Sequence, residues 1–172
     1  MMLTNYFIKK KTEEFAILAS TRKHCFRSLE SINNVLVLFC ADDYDEVKPC
    51  IDKLRSMNKM VNTCIFTSKE VHGIDDFSLL VQAKSDLDWR GIPSEKLCQQ
   101  LNAYSSDLLI DLTKKTNYPM HYLLLQHPCA FKVGIKRSEL DLYDFSISAT
   151  EKSEISYLFE QILFYLQVIR SK

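Results

Sequence analysis

Apolar and polar positions along the chain change their period several times, and each change marks an element. Residues 2–30 carry Phe7, Ile8, Phe15, Ile17 and Leu18, and later Phe26 and Leu29, among Lys, Arg and Glu. That mixture predicts one or two amphipathic helices. From Asn33 the character changes: Val35-Leu36-Val37-Leu38-Phe39 is a continuous apolar run of strand length, as expected of a central strand covered on both faces. Asp42, Asp43 and Asp45 follow, and Val47, Cys50, Ile51, Leu54 and Met57 then recur at helical spacing. Pro49 is expected in the first turn of that helix, where a missing amide costs least. Val61 to Thr67 is rich in β-branched residues and reads as a second strand, so residues 35–67 make one βαβ unit.

The stretch from Ser68 to Ser94 is weakly patterned, with Phe77 to Val81 a candidate strand and Lys84 to Pro93 a polar loop holding Trp89. Pro93-Ser94 opens a helix whose Leu97, Leu101 and Tyr104 share a face, and Asp107 to Leu112 is a short buried strand, giving a second βαβ unit. Asn117 caps a helix that runs to Gln126 and is stopped by Pro128. Phe131 to Lys136 and Tyr143 to Ala149 both alternate with period two. Six residues, Arg137 to Leu142, separate these two strands. A parallel crossover generally needs about a dozen, so the expectation is an antiparallel pair at one edge of a mostly parallel sheet. Thr150 then caps a final helix with an apolar stripe of Ile155, Leu158, Phe159, Ile162, Leu166 and Ile169. Repeats, low-complexity tracts and long linkers are absent from the sequence. The fold class expected is therefore α/β over one domain, 1–172, with 1–32 an N-terminal helical extension. Its architecture is a Rossmann-like three-layer sandwich with a mostly parallel sheet, an antiparallel edge pair and an extra N-terminal helix.

Composition narrows the functions this frame can carry. The 172 residues are 47% hydrophobic and 26% charged, which excludes disordered, collagenous and coiled-coil chains. With 22 basic and 22 acidic side chains the net charge is zero, and no nucleic-acid partner is expected. Only 3 glycines are present, too few for the phosphate-cradling loops of many nucleotide enzymes. Eighteen consecutive apolar residues never occur, and Met1 to Lys11 offers only Tyr6-Phe7-Ile8 before three lysines, so neither a membrane span nor an export signal is expected. The six cysteines, Cys25, Cys40, Cys50, Cys64, Cys98 and Cys129, show no C-x-x-C pair. Free thiols in a reducing cytoplasm are the favoured reading, and a disulfide framework is the alternative. Lys9, Lys10, Lys11, Arg22, Lys23 and Arg27 read as a solvated helix face, with contact to membrane or nucleic acid the sharper alternative. The large apolar residues of the same segment call for cover, from the domain, from a second copy in a homodimer, or from a protein partner.

In an open α/β sheet, ligands bind beyond the carboxyl ends of the strands. That rule selects Cys40, Asp42, Asp43 and Tyr44 after the first strand, and Thr67, Ser68 and Lys69 after the second. After the DLLIDL strand it selects Asp111, Thr113, Lys114 and Asn117. Asp42, Asp43, Ser68, Asp111 and Thr113 form the candidate ligand-binding set. Asp42, Asp43 and Ser68 have a plainer role open to them as helix caps. Asp111 sits inside an apolar run, so it must be paired, solvated in a crevice or protonated; a hydrogen-bond acceptor for a neighbouring loop and a ligand contact are equal alternatives. His24-Cys25 and His127-Pro128-Cys129 fall short of a four-ligand metal set, so no metal is expected. Cys40 at a strand end is either a nucleophile or, more simply, an inert thiol. No catalytic residue and no cofactor is assigned.

Three resemblances bear on function. Acidic residues after the first strand and a third aspartate at a later strand end resemble the magnesium-holding arrangement of response-regulator receiver domains. The 68 residues from Asp43 to Asp111 depart from that family's spacing. The segment SSDLLIDLTKKTNYPMHYLLLQHPCAFKVGIKR, Ser105 to Arg137, is similar to the N-terminal half of heptosyltransferase-like glycosyltransferases, with their strand, helix and A-x-x-R-I-G-like strand. That resemblance implies a nucleotide-sugar site lying largely in a second domain. The whole layout, a basic helix followed by NVLVLF, DLLIDL, AFKVGIK and YDFSIS, resembles small bacterial proteins grouped as a domain of unknown function. The function expected is a small-ligand-binding or protein-interaction module. Its alternative is a small enzyme acting on a nucleotide-like or sugar-like substrate, with Asp42 or Asp111 as acid/base or polar anchor.

Overall fold

The computed structural model describes residues 2–21, 23–74, 78–150 and 152–169. Helix α1 (Met2–Ala19) is followed by an extended segment and a 3-10 turn, Leu29–Ser31, that leads into β1 (Asn34–Cys40). A second 3-10 turn, Ala41–Asp43, passes directly into α2 (Tyr44–Ser56), and β2 (Met60–Thr67) and β3 (Leu79–Gln82) come next. The short α3 (Ala83–Asp86) and α4 (Glu95–Asn102) precede β4 (Leu108–Asp111). The chain closes with α5 (Tyr118–Gln126), β5 (Lys132–Lys136), β6 (Phe145–Ser148) and α6 (Ile155–Val168). Part of the candidate strand Phe77 to Val81 and of the basic face falls outside the described residues, at Phe77 and Arg22.

The six strands form one sheet in the order β3-β2-β1-β4-β5-β6, and every neighbouring pair is parallel. The fold is an α/β Rossmann-like sandwich. Alternation along the strands builds two cores. Val35, Val37 and Phe39 of β1, with Ile110 and Val133, face α2 and α6, where Val47, Leu54, Leu158 and Ile162 meet them. Leu36 and Leu38, with Leu109 and Cys64, face α4 and α5, where Leu101, Met120 and Leu123 lie. A β1 residue is thus covered whichever way it points, which is why its sequence shows no alternation.

The antiparallel edge pair expected from the six-residue spacing is not formed: β5 and β6 are parallel, with Val133 beside Phe145 and Ile135 beside Ile147. The connection returns across the sheet without a helix, and the Tyr143 ring packs against Gly134. A Cβ at Gly134 would collide with the Tyr143 ring. The absence of a side chain at that one position lets an extended crossover do what a helix normally does. Asp144 then locks the return, its amide donating to Lys132 O (2.8 Å) while its carboxylate accepts the Lys132 amide (2.7 Å).

Smaller differences have local causes. Pro49 lies in the second turn of α2, because the helix begins at Tyr44; the carbonyl it leaves without a donor belongs to Asp45, on the exposed side. The last helix begins at Ile155, not after Thr150, whose side chain instead closes a turn with Ser153 Oγ (3.0 Å). Tyr104 stands beyond the end of α4, and its hydroxyl donates to Ser78 O (2.8 Å). One helix, α1, occupies the N-terminal segment. It buries Ile8, Thr12 and Ala16, packs against α5 with Phe15 edge-on to Tyr122, and leaves Ile17 and Leu18 in water.

Candidate functional site

In the order β3-β2-β1-β4-β5-β6 the chain reverses direction between β1 and β4, and the loops after these two strands part at that point. A cavity of about 190 Å³ opens there, lined by Cys40, Ala41, Asp42, Phe66, Thr67, Ser68, Lys115, Thr116 and Asn117. A second, of about 310 Å³, adjoins it and shares Ala41, Asp42 and Thr67 with it, extending along Lys69 to Ile74. Asp42 thus stands on the wall between the two. It belongs to the 3-10 turn after β1 and is exposed, so its carboxylate is free to meet a ligand.

Local chemistry shapes the walls. Thr67 Oγ1 donates to Lys69 O (2.8 Å) and accepts the Lys69 amide (3.2 Å), which turns the chain sharply after β2 and leaves Ser68 exposed at the rim. Ser68 precedes a loop and a strand, so it has no helix to cap. Asn117 caps α5 by accepting the Met120 amide (3.1 Å) while its Nδ2 approaches Cys40 Sγ (3.7 Å). Burial pushes the Cys40 thiol up to about 11, the Asn117 contact pulling the other way. Burial thus favours the thiol over the thiolate at Cys40 at neutral pH.

Asp111 and Thr113 are brought together beneath this cleft, apart from the solvent-facing Asp42 and Ser68. Asp111 is 1% exposed. Its Oδ1 accepts the Thr113 amide (2.9 Å) and Thr113 Oγ1 (2.7 Å), and its Oδ2 accepts the Tyr143 hydroxyl (2.7 Å). His121, on α5, places Nε2 3.9 Å from the same Oδ2, and neither of its ring nitrogens has a hydrogen-bond partner. Burial holds its pKa below the ordinary value, Asp111 opposing, while burial and Asp111 together raise Tyr143 well above its own. The cluster is an imidazole and a phenol around the Asp111 carboxyl, whose two oxygens accept three hydrogen bonds.

Asp43 makes no capping bond to α2. Its carboxyl is raised by burial, with Lys114 opposing. Lys114 Nζ reaches Glu46 Oε1 (3.0 Å), and Glu46 Oε2 accepts the Ile155 amide (3.3 Å), so one carboxylate ties the loop after β4 to the starts of α2 and α6.

Tyr143 and His121 are the residues that sequence reasoning missed. The signal for Tyr143 was Gly134, the one glycine inside a strand, which marks a close approach. His121 carried none, lying within an apolar helix.

A family model matches residues 4–169. The chain belongs to that family, DUF6913, a family of unknown function. No curated protein and no solved structure matches it. Membership of DUF6913 carries no activity with it, and the site must be read from its own geometry. No helix among the described residues is long and apolar enough to cross a membrane.

Proposed function

We propose that this chain is a small-ligand-binding module whose ligand lies in the cleft at the carboxyl ends of β1, β2 and β4, with Asp42 and Ser68 as its first contacts. The observation that carries this reading is the position of Asp42 on the wall shared by the 190 and 310 Å³ cavities. The larger of the two reaches the lower end of ordinary small-molecule pockets, about 300–1,000 Å³, and the smaller adjoins it. The groups offered are a carboxylate, hydroxyls of Ser68 and Thr116, and the Lys115 ammonium, which suit a hydroxylated ligand such as a sugar or nucleoside. Asp111 and Thr113 serve as the floor that holds the loop after β4, and Asp43 balances Lys114. A thiol instead of a thiolate at Cys40, and a buried Asp111, favour binding over the enzymatic alternative. The six unpaired cysteines favour a reducing compartment such as the cytoplasm.

The test is thermal stabilisation by a panel of sugars and nucleosides. A compound that raises the melting temperature of the wild type should lose that effect in Asp42→Asn and Ser68→Ala. Both residues are exposed, so the free proteins should melt as the wild type does. Retained stabilisation in both variants would place the ligand elsewhere.

A protein-interaction role is favoured by one specific observation. On α6, Tyr157, Phe164 and Val168 are 60%, 57% and 59% exposed and recur at helical spacing opposite the buried stripe, with Tyr165 beside them. The N-terminal helix offers a weaker surface, because Lys10, Glu13 and Glu14 separate Tyr6 from Ile17. Phe164→Glu should then abolish a concentration-dependent rise in mass by light scattering; unchanged monomeric mass in the wild type at high concentration would count against self-association.

A further inference from the structure

Strand β6 stands last in the sheet, with β5 as its one strand neighbour among the described residues. Alternate residues of such an edge strand hold their backbone N–H and C=O groups away from the sheet, ready to pair with another strand. Proteins commonly guard an edge with a charged side chain, a proline or a bulge. β6 reads Phe145-Ser146-Ile147-Ser148, in unbroken register with β5, and has none of the three. Ser146 and Ser148 are exposed.

The uncharged face of α6 runs into this edge. Tyr157, Gln161, Phe164 and Val168 follow one another at steps of four, three and four residues, the spacing with which one helix seats against another. Tyr165 lies on the side of the helix turned to β6, its ring 5.3 Å from that of Phe145. Glu160 stands on the opposite side, where it is paired with Lys53 of α2. The face between them is therefore free of charge from Phe164 round to Phe145.

A second copy of this chain is the partner that fits both parts. A two-fold axis beside β6, perpendicular to the sheet, sets the two β6 strands antiparallel and about 4.8 Å apart. Because α6 packs over β5 and β6, the same axis lays the two α6 helices side by side on one face, about 10 Å apart, the separation of packed helices. One partner thus pairs the open strand and covers the helix. A two-fold interface also turns a surface against itself, where like charges would repel, and this surface has none to oppose. An extended peptide would pair the edge and leave the α6 face in water.

We propose that β6 and α6 form a self-association surface, through which two copies join their six-stranded sheets edge to edge, with antiparallel β6 strands at the centre and the α6 helices packed beside each other. This deepens the interaction reading of α6, on which it rests, and is independent of the cleft beside Asp42.

The experiment measures the mass of the full chain by light scattering over a concentration series. The wild type should approach twice the 20.0 kDa of one chain. The double variant Ser146→Lys/Ser148→Lys brings lysines together across the antiparallel pair and should weaken association about a hundredfold or more. Ser146→Glu/Ser148→Glu should do the same. Both change exposed serines only, so each should keep the wild-type circular dichroism spectrum. An equal mixture of the two should regain the dimer, because lysine then faces glutamate, and misfolding cannot produce that rescue. A wild type that stays at the mass of one chain at the highest attainable concentration leaves the face to a different protein and overturns the proposal. A lysine variant as dimeric as the wild type, or a mixture that stays monomeric, overturns it too. If Phe164→Glu still dissociates the dimer in that case, the α6 reading stands and the strand pairing alone falls.

Discussion

Tyr143 donates its hydroxyl to Asp111 Oδ2 at 2.7 Å from across the sheet, and it reaches there only because its ring rests on the bare backbone of Gly134. Three residues from three segments thus form one device. The aspartate in the apolar run of β4 is satisfied, the crossover from β5 to β6 is pinned, and the parallel edge of the sheet is set.

Gly134→Ala should therefore be destabilising, although its backbone conformation does not demand glycine. The added methyl meets the Tyr143 ring, and overpacking of this kind costs roughly 1–3 kcal/mol. Urea unfolding would show it, and a variant with unaltered stability would mean that the crossover does not lie on Gly134.

Tyr143→Phe keeps the ring and removes the donor. One Asp111 oxygen is then left in a buried site without its partner, at a cost of about 1–3 kcal/mol. In a double-mutant cycle with Asp111→Asn the two changes should couple by more than about 0.5 kcal/mol, because they touch one network. Strict additivity would show that the bond contributes nothing.

The same cluster makes stability depend on pH through His121. Burial depresses its folded-state pKa below 6.5, so in the window between that depressed value and 6.5 the unfolded chain binds a proton that the folded chain does not. Stability then falls as pH drops through 6.5, by up to about 1.4 kcal/mol per pH unit for one such group. His127, whose pKa burial also lowers, adds a second contribution in the same direction. Replacing His121 with Leu should flatten the profile just below pH 6.5, leaving the His127 share; an unchanged slope would assign the whole effect to other groups.

Much of the fold could be read from the chain because the buried parallel strands announce themselves. NVLVLF and DLLIDL are apolar on both faces, and β1 lies inside the sheet with β4 beside it. Asn117 and Ser94 cap the helices that their position before apolar periodicity implied. The direction of β6 could not be read, because the rule that a parallel crossover needs a dozen residues assumes a helix and a side chain at every position beneath it. The candidate site was legible as an edge and not as a set. Asp42 and Ser68 do face one cleft, whereas Asp111 and Thr113 turn towards each other below it. Solvent-facing and inward-facing polar residues look alike in a sequence until the partner, here Tyr143, is placed.

Cysteine reactivity offers a final check on the cleft wall. All six cysteines are free, but they differ in what protects them. Cys64 is fully buried, and Cys50 and Cys129 are nearly so, which shields their sulfurs from any reagent. Cys40 lines the 190 Å³ cavity, and its protection is chemical: burial raises its pKa to about 11, so the thiolate that attacks an alkylating agent is scarce at pH 7.5. Native protein at pH 7.5 should therefore alkylate Cys40 slowly, at a rate that climbs about tenfold per pH unit toward pH 9.5, before any unfolding is seen by circular dichroism. Denatured protein prepared without reductant should yield all six thiols. Mass spectrometry of the labelled peptides separates the sites. Rapid labelling of Cys40 at neutral pH would show a thiolate in the cleft, and with it the nucleophile that the binding reading leaves out.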